Sequence, residues 1–367
     1  MLVIIFILLL FSSLVLLHEW GHFIMARRNG VQVDEFGFGF PPKIYGRTIK
    51  GTLYSLNLLP LGGFVRLKGE DSSDMGEHTF GASTLLVKTK ILLAGVIMNL
   101  LSAIVLLYLL CITGIPGLGA AFEPSFLHPS YAQPRQLILS QVDAGSPAAK
   151  SGLKRGDFVL AGNGQSFEAD EQLHNFTHDH AGQTVTFTVR EGKDVRDVQT
   201  KLRDPGSKDG FLGVVSQQVY KLKYDPLTAL VAALYITGAL FVATIVGVFQ
   251  LLIHIPTLII GLFGSTIPQA AESASGPVGI IFILKSISSL GLAYLILFMA
   301  NISVALAAFN VLPLPALDGG RLAVILVQRV LKRQMSVEAE TRFHTIGFML
   351  LIGLMIVISI YDFRKFF

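Results

Sequence analysis

Two histidines and a glutamate stand together at the end of an apolar stretch, in the pentapeptide His18-Glu19-Trp20-Gly21-His22. Residues four apart on an α-helix share one face, so both imidazoles can bind the same metal ion. Imidazole suits zinc, and a catalytic zinc site adds a third protein ligand and leaves a position for water. Glu19 is then the candidate base that takes a proton from that water. The pentapeptide predicts a catalytic zinc centre.

The alternative is a helix end at a membrane interface, with polar side chains that reach toward lipid headgroups. The pentapeptide directly follows seventeen uncharged residues, 1–17. Ionisable groups at membrane depth are costly and are usually explained by function, which favours the metal site. Residues 1–17 lack a basic start and a small-residue cleavage site, so we expect a retained first helix rather than a signal peptide.

The composition is that of a membrane protein: 52% of the residues are hydrophobic and 15% are charged, with a mean hydropathy of +0.61. The net charge of +4 predicts no nucleic-acid partner, because the basic residues concentrate beside apolar segments, as the positive-inside rule expects. The single cysteine, Cys111, excludes an intrachain disulfide and a cysteine-rich zinc site.

Four apolar segments are predicted to cross the membrane. Arg27 and Arg28 follow the first of them and mark the cytoplasmic side, which puts the amino terminus outside and the histidine pair in the cytoplasmic half of the bilayer. The last span would end outside, and Arg364 and Lys365 oppose that orientation. The predicted spans are residues 2–26, 91–112, 290–312 and 345–361.

A candidate third zinc ligand follows the third span, in the stretch Asn310 to Gly320. Pro313 and Pro315 must end the helix, and Gly319-Gly320 permit a tight turn. Asp318 is therefore expected on an irregular loop, on the same membrane side as the histidines, where a carboxylate can complete the zinc site. The alternative role of Asp318 is a helix cap at the membrane surface.

Residues 36–68 change to short strand-like runs with turn residues. Lys43 to Ile49, a Lys50-Gly51 turn and Thr52 to Leu58 predict a hairpin, and Pro60 to Leu67 adds a strand. Such backbone enters a membrane only where protein covers it or where it lines a watery cavity, so we predict a re-entrant sheet beside the site. An ordinary cytoplasmic hairpin is the alternative. Glu70 to Glu77 reads as a solvated, mobile turn region.

Residues 122–219 form the one long polar stretch and have the length of a small domain. Gln136 to Val142 and the alternating Thr184 to Arg190 predict strands. This stretch resembles PDZ domains of the bacterial periplasmic type, which add a peptide strand or C-terminus to a sheet edge. The resemblance lies in Gly145-Ser146-Pro147-Ala148-Ala149 and Gly152-Leu153-Lys154-Arg155-Gly156-Asp157. A hydrated loop is favoured over a second metal site for the set Glu171, His174, His178 and His180.

Residues 225–264 are almost free of charge and too long for one helix. His254 and Pro256 interrupt them. We expect either an interfacial helix followed by a short re-entrant piece or a membrane hairpin, because a single crossing would invert the next span.

Taken together, these motifs resemble the site-2 protease family, closest to the bacterial regulator-of-sigma-E protease type. The resemblance covers nearly the whole chain. It implies a polytopic α-helical membrane protein with a membrane re-entrant β-sheet and an inserted extracytoplasmic PDZ (α+β) domain, in a bacterial inner membrane. The predicted parts are 1–117 (N-terminal membrane part), 122–219 (PDZ-like domain), 225–264 (interfacial or re-entrant segment) and 275–367 (C-terminal membrane part).

The resemblance also implies the chemistry. Zn²⁺ would be held by His18, His22 and Asp318, with Glu19 as the catalytic acid and base. Asn310 and the Gly37-Phe38-Gly39 loop would bind the substrate, which pairs with the sheet once it is unwound. The substrate would be a single-pass membrane protein that has already been trimmed outside, such as an anti-sigma factor or a remnant signal peptide.

The chain departs from the family pattern in two places. Val96 stands where members usually have a proline, which bears on the local helix shape, and there is room for one PDZ-like domain rather than two.

The alternatives to a protease are a zinc transporter and a PDZ adaptor with a structural zinc. A transporter needs several polar spans, and a structural site fills all four zinc positions with protein ligands, so we favour the protease.

Overall fold

The computed structural model describes residues 2–70, 74–119, 121–192, 194–206, 210–262, 264, 267–268, 271, 275–288, 290–333 and 335–366. The chain divides into two compact units. The membrane unit comprises Met1–Leu109, Leu230–Ser288 and Tyr294–Phe367, and the PDZ-like unit comprises Leu110–Ala229 and Ser289–Ala293.

The helices, in chain order, are α1 (Leu2–Arg28), α2 (Leu85–Thr113), α3 (Pro147–Ser151), α4 (Asp170–Asp179), α5 (Pro226–Ile253), α6 (Ile255–Gly261), α7 (Pro277–Ser288), α8 (Leu292–Val311), α9 (Asp318–Leu331) and α10 (Val337–Phe366). The strands are β1 (Val33–Ile49), β2 (Thr52–Leu67), β3 (Ile115–Pro116), β4 (Tyr131–Ala132), β5 (Gln136–Val142), β6 (Phe158–Gly162), β7 (Gln165–Ser166), β8 (Thr184–Glu191), β9 (Asp194–Lys201), β10 (Val214–Val219) and β11 (Lys221–Lys223).

Five of the described helices, α1, α2, α5, α8 and α10, are long and apolar enough to cross a membrane. Four of them overlap the four predicted spans. The fifth, α5, is one continuous helix of 28 residues within the predicted 225–264 segment. The expected break is present at His254, after which α6 begins. Together with the polar stretch, these helices make the chain a polytopic membrane protein with an inserted domain.

The sheet of the membrane unit folds back on itself, so that its central segment has partners on both sides. Phe36 pairs with Tyr54 and with Val65, and Gly37 pairs with Ser55 and with Phe64. The predicted hairpin is present: Ile49 pairs with Thr52 across a turn in which Lys50 and Gly51 both have positive φ, as a tight hairpin turn requires. Entry of this sheet into the membrane remains a prediction.

One apolar cluster joins α1, the sheet and α2 and so fixes the end of the first helix. The buried residues are Ala26, Val31, Val33, Leu67, Phe80, Ile91 and Leu92. The turn region after β2 also differs from the prediction. Glu70 is half-buried and accepts a hydrogen bond from the Leu67 N–H, so the prediction that this residue is solvated and mobile is wrong.

The end of α10 is held by polar contacts that the charge rule does not foresee. Arg364 donates to the carbonyls of Gly261, Leu262 and Gly264 beyond α6, and the buried Asp362 accepts from the Gly276 and Gly279 N–H groups at the start of α7. Cations favour the carbonyls at a helix C-terminus. Arg364 therefore has a structural partner, which removes much of its weight as a marker of the cytoplasmic side.

The PDZ-like unit contains a six-stranded antiparallel sheet in the order β10-β5-β6-β8-β9, with β7 paired to β6, a three-stranded sheet in the order β3-β11-β4, and the helices α3 and α4. β5 coincides with the predicted strand Gln136–Val142. Ser146 caps α3 by accepting from the Ala149 N–H, and Gly152 ends it with φ +86°. Every second residue of β8 is buried, in the order Val185, Phe187 and Val189, and these side chains form the centre of the domain core.

Candidate metal centre

The two histidines of the pentapeptide lie one turn apart on α1 and are both buried. Their Nε2 atoms are 3.1 Å apart. The apolar cluster described above holds the helix against α2, and it is α2 that faces the imidazoles. The predicted shared face of the helix is therefore present, and both rings turn the same nitrogen inward.

Asp318 reaches this pair from a distant part of the chain. Its Oδ2 lies 3.1 Å from Nε2 of His18 and 3.2 Å from Nε2 of His22. The prolines end α8, and α9 begins at Asp318 itself. A Cβ atom at Gly319 or Gly320 would overlap the carbonyl oxygens of Leu312 and Leu314, so only glycine permits this close return of the chain.

Among the described residues, one group of three metal-ligating side chains converges, and it is His18, His22 and Asp318. The residues weighed as a second metal site do not join such a group. His180 instead pairs with the Phe176 carbonyl, and His178 lies beside Asp179. The predicted loop is wrong, because Glu171, His174 and His178 lie on the helix α4.

The three ligand atoms fit a zinc ion. Tetrahedral coordination with bonds of 2.0–2.1 Å separates the ligand atoms by roughly 3.3 Å, close to the distances found here. Gly95 of α2 leaves the space: a Cβ at this position would lie 2.5 Å from Cε1 of His18 and 2.5 Å from Nε2 of His22. The other nitrogen of His22, Nδ1, lies 2.7 Å from the Ile91 carbonyl, which needs a proton on Nδ1 and leaves Nε2 free to bind metal.

Charge also suits a cation. Burial disfavours the ionised form of Asp318, but the neighbouring His22 and His18 outweigh burial and hold the pKa of this carboxyl below its usual range. Asp318 is therefore an anion at neutral pH, as a ligand must be.

Glu19 faces the same space from α1. Its Oε2 accepts a hydrogen bond of 3.1 Å from the Val65 N–H of β2. Glu19, His22, Val65 and Asp318 all line one cavity of about 180 Å³. A carboxylate held by a backbone N–H beside the ligand atoms can exchange a proton with water or substrate in that cavity.

Arg321 of α9 lines the same cavity and pairs with Glu70. Burial disfavours the guanidinium charge, but Glu70 outweighs burial and raises the pKa of Arg321 above its usual value. This ion pair joins Glu70, in the turn after β2, to α9, the helix that begins with Asp318. It therefore helps to fix the position of Asp318 in the site.

The residues expected to bind substrate have other contacts. Asn310 lies on α8, and its amide donates to the Leu306 carbonyl of the same helix. Gly37 and Phe38 lie in the central segment of the sheet with partners on both sides, while Gly39 has φ +76°. Substrate contact by these four residues stays a prediction.

Several residues around the ligands were not foreseen as part of the site. Ile91, Gly95 and Asn99 follow one another at intervals of four on α2 and all face the histidines. Asn99 forms an interhelical hydrogen bond, and its partner is His18. The spacing of four residues along α2 was the available signal that these residues share a face. It does not reveal that α1 is the helix that they face.

The chain is similar to a known protein family and to several known proteins. The family described as Peptidase family M50 matches residues 6–354. CPE1693 of Clostridium perfringens is 32% identical over 98% of each chain. "Zinc metalloprotease RasP" of Geobacillus kaustophilus is 27% identical over 98% of this chain and 97% of that one, and "Regulator of sigma-E protease RseP" of Salmonella typhimurium is 26% identical over 96% of each.

One solved structure is similar to part of the chain. The PDZ domain of the SdrC-like protein Lin2157 from Listeria innocua is 25% identical and covers 22% of this chain and 93% of its own, with a TM-score of 0.20.

Proposed function

The chain belongs to peptidase family M50 and is a zinc metalloprotease, and we propose that it cleaves a peptide bond inside the transmembrane segment of a single-pass membrane protein. The observation that carries the proposal is the convergence of Asp318 with His18 and His22, two residues of an apolar helix long enough to span a membrane. The substrate class is a protein already trimmed outside, either an anti-sigma factor or a remnant signal peptide.

The zinc ligands in this proposal are His18, His22 and Asp318. The chemistry that bound zinc supplies is polarisation of the scissile carbonyl and a lower pKa for the attacking water. The Ile91 carbonyl orients His22, and the Arg321–Glu70 pair holds the helix that carries Asp318. Three protein ligands leave a position for water, as in catalytic rather than structural sites.

Glu19 is the proposed catalytic acid and base. It takes the proton of the attacking water on its carboxylate and gives it to the nitrogen of the leaving amine. The hydrogen bond from the Val65 N–H keeps the carboxylate at the cavity wall. Such a bond restricts the side chain to the position from which both proton transfers are made.

The substrate must be unwound before cleavage, because the hydrogen bonds of its own helix shield its peptide bonds. We place the unwound strand along residues 64–67 of β2, of which Phe64, Val65 and Leu67 line the cavity together with Glu19. Gly37 and Phe38 are already paired on both sides, so their contribution is to shape the sheet beneath the substrate, and Asn310 is the proposed contact from α8.

The orientation in this proposal follows the charge rule. The protein lies in a bacterial inner membrane as a multi-pass protein, with the site toward the cytoplasm and the PDZ-like domain outside, where a peptide strand or C-terminus can bind. Arg27 and Arg28 at the end of α1 support this side for the histidines.

The test is cleavage of a reporter transmembrane helix by the full chain in proteoliposomes, together with metal analysis. We expect Glu19→Gln to keep zinc and lose about 100- to 10,000-fold in cleavage rate, because only the proton transfer is removed. His18→Ala should lose both zinc and cleavage. Exposed Trp20, which follows Glu19 on α1, offers a control variant, Trp20→Phe, that should keep both. Cleavage by Glu19→Gln at the unmodified rate would refute the assigned role.

A further inference from the structure

One face of α2 is built around the histidine pair. Ile91 offers its carbonyl to Nδ1 of His22, Gly95 makes room for both rings, and Asn99 lies against Nδ1 of His18. The first two contacts explain how His22 is oriented and where a metal ion fits. The third contact concerns His18, whose ring is not oriented by a backbone group of the described residues.

The side chain of Asn99 is fully buried. Its Nδ2 lies 3.1 Å from Nδ1 of His18, and its Oδ1 has no hydrogen-bond partner among the residues that the structure describes. A buried amide oxygen without a partner costs free energy. The two ends of a carboxamide have nearly the same shape and exchange by rotation about the last side-chain torsion, so either end can face the ring.

The tautomer of His18 decides which end is needed. An imidazole that binds metal through Nε2 carries its proton on Nδ1, and that proton requires an acceptor. Oδ1 of Asn99 is the acceptor within reach. When this oxygen faces His18, the buried oxygen gains a partner and the ring gains an orienting hydrogen bond in the same step.

We propose that Asn99 is a positioning residue for the zinc site, which accepts the Nδ1 proton of His18 and so holds this ring with Nε2 toward the metal. The proposal rests on the zinc site proposed above. It makes α2 the helix that orients both histidines of α1, through a backbone carbonyl for one ring and a side-chain carbonyl for the other.

The packing role of Asn99 can be separated from this one. Ser303 of α8 donates its hydroxyl to the backbone carbonyl of Asn99 at 2.8 Å, so the contact between α2 and α8 does not use the carboxamide. Ser303→Ala therefore disturbs the same helix position from the other side and leaves the acceptor for His18 in place. It is the matched control.

The experiment measures zinc affinity of the full chain by competition with a chelator, and the absorption spectrum of the Co²⁺-substituted protein. Asn99→Leu keeps the approximate volume and removes the acceptor, and we expect a loss of about 10- to 100-fold in zinc affinity and an altered Co²⁺ spectrum. Asn99→Asp restores an acceptor and should recover both. Ser303→Ala should bind zinc as the unmodified chain does.

Two outcomes overturn the proposal: Asn99→Leu binding zinc with unchanged affinity, or Asn99→Asp losing zinc as completely as Asn99→Leu. If Asn99→Leu does not fold, Asn99→Ala takes its place. His18→Ala separates the two levels of the argument. If His18→Ala also keeps zinc, the zinc site is wrong; if it loses zinc while Asn99→Leu keeps it, only the role of Asn99 is wrong.

Discussion

Polar contacts at the start of α3 in the PDZ-like unit and at the metal centre of the membrane unit join residues at very different separations along the chain. In the PDZ-like unit, Ser146 caps its own helix by accepting from the Ala149 N–H, over three residues of chain. In the membrane unit, His22 bonds 69 residues away, Asn99 lies 81 residues from His18, and Asp318 lies 300 residues from it. The first kind of contact stabilises one turn. The second exists only when the whole unit is folded.

The difference predicts where a small change has a large effect. A substitution at the metal centre should remove zinc binding and cleavage, because the side chains there contact residues that are distant in the chain. A substitution in the PDZ-like unit should lower the stability of that unit and leave zinc in place. Three variants test this contrast.

The largest expected effect is that of Gly95→Ala. The added methyl group would lie 2.5 Å from atoms of both imidazoles, so at least one ring must leave its position. We expect a loss of about 100-fold or more in zinc affinity and no measurable cleavage of the reporter helix.

Gly353→Ala on α10 is the matched control, since a Cβ there meets no atom within 4 Å. It should bind zinc and cleave normally. Full zinc occupancy in Gly95→Ala would show that α2 does not pack against the histidines in the way described.

The same contrast explains what could be predicted from the sequence. The spacing of His18 and His22 is a local property of a helix, and the helix breakers around Asp318 are local too, so the convergence of these three side chains could be predicted, while their role as zinc ligands stays a prediction. The role of Gly95 and Asn99 depends on α1, which packs against them. From the sequence of α2 alone, these two residues cannot be distinguished from residues that only pack against a neighbouring helix.

For two charged residues, the contacts that explain their position could not be predicted from the sequence. Glu70 reads as part of an acidic, solvated turn, and its partner Arg321 is 251 residues away. Arg364 reads as a marker of the cytoplasm, and its partners are carbonyls about 100 residues earlier. For residues 225–264 the sequence left two forms open, because a charge-free run without a periodic pattern does not reveal where a helix bends.

An intermediate effect is expected from Phe187→Ala in the PDZ-like unit. Phe187 is fully buried in the domain core, and truncation of a buried phenylalanine costs about 3–5 kcal/mol. Limited proteolysis of the full chain should cut this unit faster, while zinc content stays unchanged. Val195→Ala, at an exposed position of the neighbouring β9, should change neither. Loss of zinc from Phe187→Ala would end the distinction between the two units.

The smallest effect is expected from Ser146→Ala. The Ser146 hydroxyl accepts from the Ala149 N–H at 3.1 Å at the start of α3, and loss of such a cap costs about 1 kcal/mol. Hydrogen exchange of the full chain should therefore accelerate within α3 and leave α1 and α2 unchanged. Ser140→Ala removes an exposed hydroxyl that bonds the Val215 carbonyl and should leave exchange in α3 as it is. Equal acceleration in α1 would mean that a three-residue contact in one unit supports the metal centre of the other, against the contrast drawn here.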